Sequence, residues 1–267
     1  MMVQSEKMLS VGGLAAGMAH EINNPLGGMM QTAEVLSIRL GDIHLPANIT
    51  AAKEVGTTIE SIKNFMEKRK ILKMVNRIRE SGYRASGIVD NMLSFARKAP
   101  SKKTAHHLFE IVEKCIELSN IDYDLKKKFD FKNIEIVRDY KPNLPKVPCD
   151  ASKIQQVVIN ILRNGAEAMN EIQKKDPKFT IRLFHRIEDN MVVLKIEDNG
   201  SGMEEAVLRR IFEPFYTTKA TDAGTGLGLS VSYFIITENH HGQINVESEK
   251  GKSTTFTIAL PAEHPAN

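Results

Sequence analysis

The sequence predicts an α+β chain of two unlike parts: a helical hairpin that dimerises into a four-helix bundle, then an α/β sandwich. Three observations carry that reading. Apolar residues recur at helical three-and-four spacing through roughly the first hundred residues. A basic stretch with a proline, RKAPSKKT at 97–104, then interrupts the pattern. Beyond it, strand-like runs mix with helices without βαβ regularity, which argues for one sheet packed against helices.

In the first part, Leu14, Met18, Pro25, Met29, Leu36 and Leu40 keep roughly heptad spacing, with Ile22 and Ala33 on the flanks. Ile71, Val75, Ile78, Ala85, Val89, Met92 and Ala96 repeat the same alternating step. Two helices with one apolar stripe each cannot bury both stripes alone. They form a hairpin stacked on another hairpin or, the preferred reading, a homodimeric four-helix bundle. The segment between them, about 41–70, is longer than an ordinary helix–helix loop. Gly41 and Pro46 break the first helix, and Ile59, Ile62 and Met66 restart a helical pattern with no Gly or Pro before the second. We therefore expect an insert that extends the hairpin. The predicted domains are 1–98, a linker at 99–104, and 105–267.

In the second part, 106–121 reads as helix and IEIVRDY (134–140) as an alternating strand. KPNLPKVP is a loop, and Asp150 caps a helix running to about Met169. FTIRLFHRI, MVVLKIED, QINVESE and TTFTIALP complete the strands.

With 42% apolar and 26% charged residues, the chain has the composition of a soluble globular protein. A net charge of +3 gives no argument for nucleic acid, and no nucleic-acid partner is expected. No apolar run approaches a membrane span, and no secretory signal opens the chain. The opening MMVQSEKMLSVGGL enters helical periodicity without a start signal. We expect a cytoplasmic fragment of a longer protein, with any membrane attachment through upstream regions. Cys115 and Cys149, in no Cys-x-x-Cys pattern, read as free thiols.

Four local patterns carry chemistry. Asn160 and Asn164 lie one turn apart on the helix after Asp150, beside an apolar stripe. Asparagine is a poor mid-helix residue, so either these amides aim at a ligand such as hydrated Mg²⁺ or they form a solvated face. IEDNGSGM ends a strand with Asp198, Gly200 and Gly202. A carboxylate there can accept from an exocyclic amine while glycines admit a flat ring, although an ordinary turn has the same pattern. IFEPFYTTK sets Phe212 and Phe215 around Pro214 and ends at Lys219, which suits a lid with a cation for polyphosphate. GTGLGLS places Gly224, Gly226 and Gly228 before an apolar helix, whose N-terminus can receive phosphate. It is neither a Rossmann nor a Walker pattern.

In this order the four patterns resemble the N, G1, F and G2 boxes of the ATP-binding domain of sensor histidine kinases. That domain belongs to the wider ATPase group of DNA gyrase, heat-shock chaperones and mismatch-repair proteins. The resemblance spans about 104–262 and closes on GKSTTFTIALP. It implies that Asn164 chelates Mg²⁺, Asn160 supports the phosphates, and Asp198 reads the adenine amine with Thr255 nearby through water. It implies further that Gly200 and Gly202 border the adenine, that Lys219 faces phosphate, and that Gly224, Gly226 and Gly228 free the lid. Two positions depart from the family pattern: Gly165 replaces the usual Ala, and Ser253 replaces a common second Gly.

GMAHEINNPLGGMM, near the start, is not a zinc-protease helix, because the residue four after His20 is Asn24. Alone, a histidine on a Met-rich helix is more often a structural residue than a reactive one. LAAGMAHEINNPL nevertheless resembles the histidine kinase H box. That resemblance implies that His20 attacks the γ-phosphorus of ATP, that Glu21 accepts the Nδ1 proton, and that Asn24 orients water for dephosphorylating a response regulator. The implied activity is autophosphorylation and phosphotransfer to an aspartate of a cognate response regulator, with Pro25 bending the helix. A client-clamping ATPase would leave the HEINNPL helix without a purpose. A catalytically dead dimeric scaffold would not need His20, Asn164, Asp198 and the glycines.

Overall fold

A computed structural model describes residues 2–96, 103–121, 131–219 and 225–263, with side chains for all of these except 2–20, 88, 90–96 and 121. The chain divides into two compact units, Met1–Lys98 and Ala99–Asn267.

The first unit is built on two long helices, α1 (Met2–Gly41) and α4 (Ile71–Ala96). They run antiparallel, as the pairings along their length show. Glu34 pairs with Arg79 at 2.6 Å. Gly82 lies under the Met30 side chain, and Gly41 lies beside Leu72. Leu26 and Ala33 of α1 are buried, as are Val75 and Val89 of α4. The neighbouring rows, Ile22, Met29 and Leu36 on α1 and Ile78 on α4, stay exposed. This corrects the expected seam. Of its predicted α1 members, Met29 and Leu36 do not face α4; the adjacent heptad row, Leu26 and Ala33, does. One apolar stripe is wide enough for two rows, and a single partner helix covers only one. The expected positions Leu14, Met18, Met92 and Ala96 lie outside the described side chains.

The insert contains α2 (Pro46–Glu54) and α3 (Ile59–Lys68). Pro46 opens α2, where its missing N–H costs nothing. Thr58 caps α3 by accepting from Ser61 N–H at 3.1 Å. Ala52, Ile59 and Met66 bury the inner face. The sequence suggested no stop between the insert and the second helix, but α3 ends before Lys70, which takes a left-handed φ of 57°. A lysine here does what glycine usually does.

The second unit carries a five-stranded sheet in the order β2-β4-β5-β7-β6. The strands are β2 (Glu135–Tyr140), β4 (Lys178–Arg186), β5 (Met191–Asp198), β6 (Gln243–Glu249) and β7 (Ser253–Pro261). Only the β2–β4 pair is parallel. A short antiparallel pair, β1 (Thr104–His106) with β3 (Val147–Cys149), turns part of the predicted 141–148 loop into strand. Helices α5 (Leu108–Ile121), α6 (Ala151–Glu171), α7 (Glu205–Leu208) and α8 (Gly228–Phe234) complete the unit.

Asp150 caps α6, accepting from Ser152 N–H at 3.1 Å and Lys153 N–H at 3.3 Å. The stripe of Ile154, Val157, Val158, Ile161, Leu162, Ala166 and Met169 is buried; each larger member contributes about 1.5–3 kcal/mol. Facing it are Phe179, Ile181 and Leu183 of β4, and Val192, Leu194 and Ile196 of β5, all buried. His240, not singled out by the sequence, ties the layers together. Its Nδ1 bonds Ile235 O at 2.7 Å and its Nε2 accepts Asp150 N–H at 3.1 Å. Burial pushes its pKa down, so it serves as a neutral structural imidazole. Cys115 and Cys149 are free and buried, and burial lifts their thiols to about 12 and about 11.

Candidate nucleotide and phosphoacceptor sites

One face of α6 presents Asn160, Asn164 and Glu167 at successive turns beside the buried stripe. Asn160 Nδ2 donates to Ser232 Oγ at 3.0 Å, and Ser232 Oγ donates to Gly228 O at 2.9 Å. The asparagine is thereby fastened to the first turn of α8. Gly228 leaves room for that amide: a Cβ there would lie 2.4 Å from Asn160 Oδ1, so a larger residue would displace the Asn160 side chain. The loop before α8 is equally tight. Gly226 takes φ +65°, and a Cβ on it would enter the Phe215 backbone. Gly224 lies outside the described residues.

Asp198 ends β5, only 4% exposed. It accepts Gly200 N–H at 2.9 Å, while burial pushes its carboxyl up to about 6. The aspartate stands against α6 at Gly165. A Cβ on Gly165 would be 2.6 Å from the Phe179 ring and 3.0 Å from Asp198 Cβ. Here is the reason for one family departure: Phe179 fills the volume an alanine methyl would take. Gly202 (φ +61°) lies against the Glu249 backbone beyond Asp198.

The expected neighbour Thr255 needs correction. The β5–β7 register sets Thr254 opposite Asp198 and Thr255 opposite Glu197. Directly opposed residues share a face and successive residues alternate, so Thr254 flanks the aspartate while Thr255 points to the other side. Thr254 is buried, and its hydroxyl meets Ser248 Oγ at 2.9 Å. Alternation along β7 also pairs Thr254 with the buried Phe256 on one face.

In the lid segment, Phe212 packs on Tyr233 with ring centroids 5.3 Å apart. Phe215, expected as a second anchor, is instead 52% exposed with φ +64°. Lys219 reaches α6, where Nζ ion-pairs with Glu167 and lies 3.4 Å from Asn164 Oδ1. Arg163 Nε holds the other Glu167 oxygen at 3.2 Å. Glu167 was missed in the sequence, although its i, i+3 spacing from Asn164 places it on the same face. The Asn164 oxygen already faces a cation, so its position suits Mg²⁺. Among the described residues no cluster of three His, Cys, Asp or Glu could hold a metal. Mg²⁺ commonly takes one or two protein ligands with phosphate and water, which fits.

In the first unit, His20 lies within α1, and its side chain is outside the description. Asn24 follows one turn later on nearly the same face. Glu21, Asn24 and Pro25 are exposed, while Leu26 turns inward. Pro25, expected to bend the helix, lies inside α1, which continues through it as one helix. The missing N–H is tolerated on the exposed side of a helix held by packing on its other face.

An asparagine-bearing helix, a buried strand-end aspartate and glycine-spaced turns on a mixed sheet define a nucleotide-binding ATPase domain. Residues 149–264 match the family model described as histidine kinase-, DNA gyrase B-, and HSP90-like ATPase. Residues 10–101 match the His Kinase A (phospho-acceptor) domain. Sporulation kinase E of Bacillus subtilis is 33% identical over 98% of this chain and 30% of its own length. Sensory histidine kinase/phosphatase NtrB of Vibrio alginolyticus is 32% identical over 93% of this chain and 61% of its own. The crystal structure of full-length ShkA in complex with AMPPNP shares the fold, with a TM-score of 0.68 and 21% identity, covering 95% of this chain and 46% of that one. The chain belongs to the histidine kinases. It spans about 30–61% of the length of these two curated relatives.

Proposed function

We propose that this chain is the kinase core of a sensor histidine kinase that phosphorylates itself on His20 from ATP and passes the phosphoryl group to an aspartate of a response regulator. The observation that carries this reading is the presence in one chain of the HEINNP helix and of the Asn164–Asp198–Gly228 constellation.

Each residue then has a role in phosphoryl transfer, which needs positioning and charge neutralisation more than covalent help. Asp198 accepts the adenine amine, with Gly200 and Gly202 bordering the ring and Thr254 alongside. Asn160, Gly226 and Gly228 approach the phosphates, and Lys219 adds a positive charge. Mg²⁺ held by Asn164 would supply a metal clamp on the phosphate oxygens. The neutral His20 imidazole uses its Nε2 lone pair on the γ-phosphorus. The bond from that phosphorus to the β–γ bridging oxygen breaks, ADP leaves, and the Nδ1 proton passes to Glu21. Asn24, one turn on, holds the water that hydrolyses the regulator's phosphoaspartate. The kinase/phosphatase designation of the Vibrio relative supports that second activity.

The first unit serves as the dimerisation and phosphotransfer domain and the second as the catalytic domain, with 99–104 as the working linker. The exposed rows Ile22, Met29, Leu36 and Ile78 support a homodimer, because a second hairpin would cover them. Response regulator docking falls on the bundle around 24–40 and 75–95. In an incubation with Mg²⁺ and γ-labelled ATP, the wild type takes up acid-labile, base-stable label, whereas His20→Gln binds ATP and takes up none. Label persisting in the variant would move the acceptor elsewhere.

A further inference from the structure

A carboxylate lies where a triphosphate is expected. Glu167 shares its α6 face with Asn164, and its Oε2 is neutralised by Lys219, which also touches Asn164 Oδ1 at 3.4 Å. The Glu167 side chain is only 15% exposed and Lys219 27%, so water screens the pair weakly. Arg163 keeps Oε1 in place independently of Lys219. An anionic oxygen and a neutral amide oxygen thus converge on one cation, and the ammonium marks the spot.

We infer that Glu167 is a second divalent-cation ligand beside Asn164, and that the Lys219 ammonium and Mg²⁺ compete for this one position. The inference rests on the ATP reading above and adds a consequence. A carboxylate next to phosphate oxygens repels them unless a cation stands between. When Mg²⁺ takes the position, Lys219 leaves Glu167 and is free to meet the polyphosphate. Without the metal, Lys219 stays paired with Glu167 and is withheld from the polyphosphate. Glu167 therefore makes nucleotide affinity depend on the metal, and couples metal arrival to movement of the segment that ends at Lys219. Asparagine alone would give a weaker coupling, because a neutral oxygen repels phosphate little.

The test is equilibrium binding of ATP to the whole chain by calorimetry, in excess Mg²⁺ and again in EDTA, with the ratio of the two Kd values as the readout. Glu167→Gln binds ATP more tightly than wild type in EDTA and more weakly in Mg²⁺, so the ratio falls by about tenfold or more. Glu167→Asp, which keeps the charge, restores most of the ratio. If Glu167→Gln changes both Kd values by one common factor, the pair is only a structural tether and the inference fails. If the wild type binds ATP in neither buffer, the nucleotide reading itself fails.

Discussion

Replacing Asp198 by Asn separates what this residue costs the fold from what it gives to binding. Burial lifts its carboxyl to about 6, against an ordinary ~3.9. At pH 7 the folded chain must therefore ionise a group that its surroundings prefer neutral. A rise of that size corresponds to about 3 kcal/mol. The sign follows from a folded-state pKa above the unfolded one. The stabilising contribution is complete below about pH 4 and lost as pH rises towards about 6. Asn keeps the shape, and its carbonyl can still accept the Gly200 N–H. Asp198→Asn should thus raise the stability of the second unit at pH 7 by up to ~3 kcal/mol, a melting shift of roughly 5–10 °C, and confer little at pH 4. The same change should weaken ATP binding by ~1.5–3 kcal/mol, the range for a charge-assisted hydrogen bond. Because protonation removes the favoured acceptor, wild-type affinity should also fall relative to the variant as pH drops from 7 to 5. Thermal melts between pH 4 and 8, with calorimetric ATP titrations on both proteins, measure all three effects. Parallel pH–stability curves, or equal ATP affinities at pH 7, would refute the assignment.

Gly165→Ala should cost about 1–3 kcal/mol through overpacking against Phe179 and weaken ATP binding by displacing Asp198. Phe179→Leu in the same chain should recover most of both losses, as melting and titration together would record; additive losses would contradict the packing argument. In the first unit, Ile22→Lys with Ile78→Lys should raise the dimer Kd roughly a hundredfold by placing charge in an apolar seam. Sedimentation velocity reads this directly, and ATP affinity of the second unit should not change. A double variant that sediments as wild type would show that these rows face something other than a second copy.

How much of this was legible follows from which signals are local. Asp150 announced the start of α6 because a cap needs only its own next residues. The strands β4 to β7 showed in β-branched and aromatic runs whose period is two. The four nucleotide motifs were readable because each is contiguous. Thr254, Glu167 and the Phe179–Gly165 fit were not, since each depends on register or on contact across elements. Thr255 was chosen by nearness in a motif, whereas alternation along β7 selects Thr254. The hairpin seam failed for a related reason: periodicity marks a stripe but not which of its two rows meets α4. The stop at Lys70 carried no signal because left-handed backbone is rare for lysine.

The central claim is that one imidazole of α1 receives phosphate from the nucleotide held by the second unit. The most direct measurement is peptide mapping at neutral to basic pH after incubation with Mg²⁺ and ATP. Trypsin releases residues 8–39 as one peptide, in which His20 is the sole histidine. We predict one added phosphoryl group on that peptide, assigned to His20 by fragmentation. An unmodified 8–39 peptide, with the phosphoryl group on any other residue, would contradict the account.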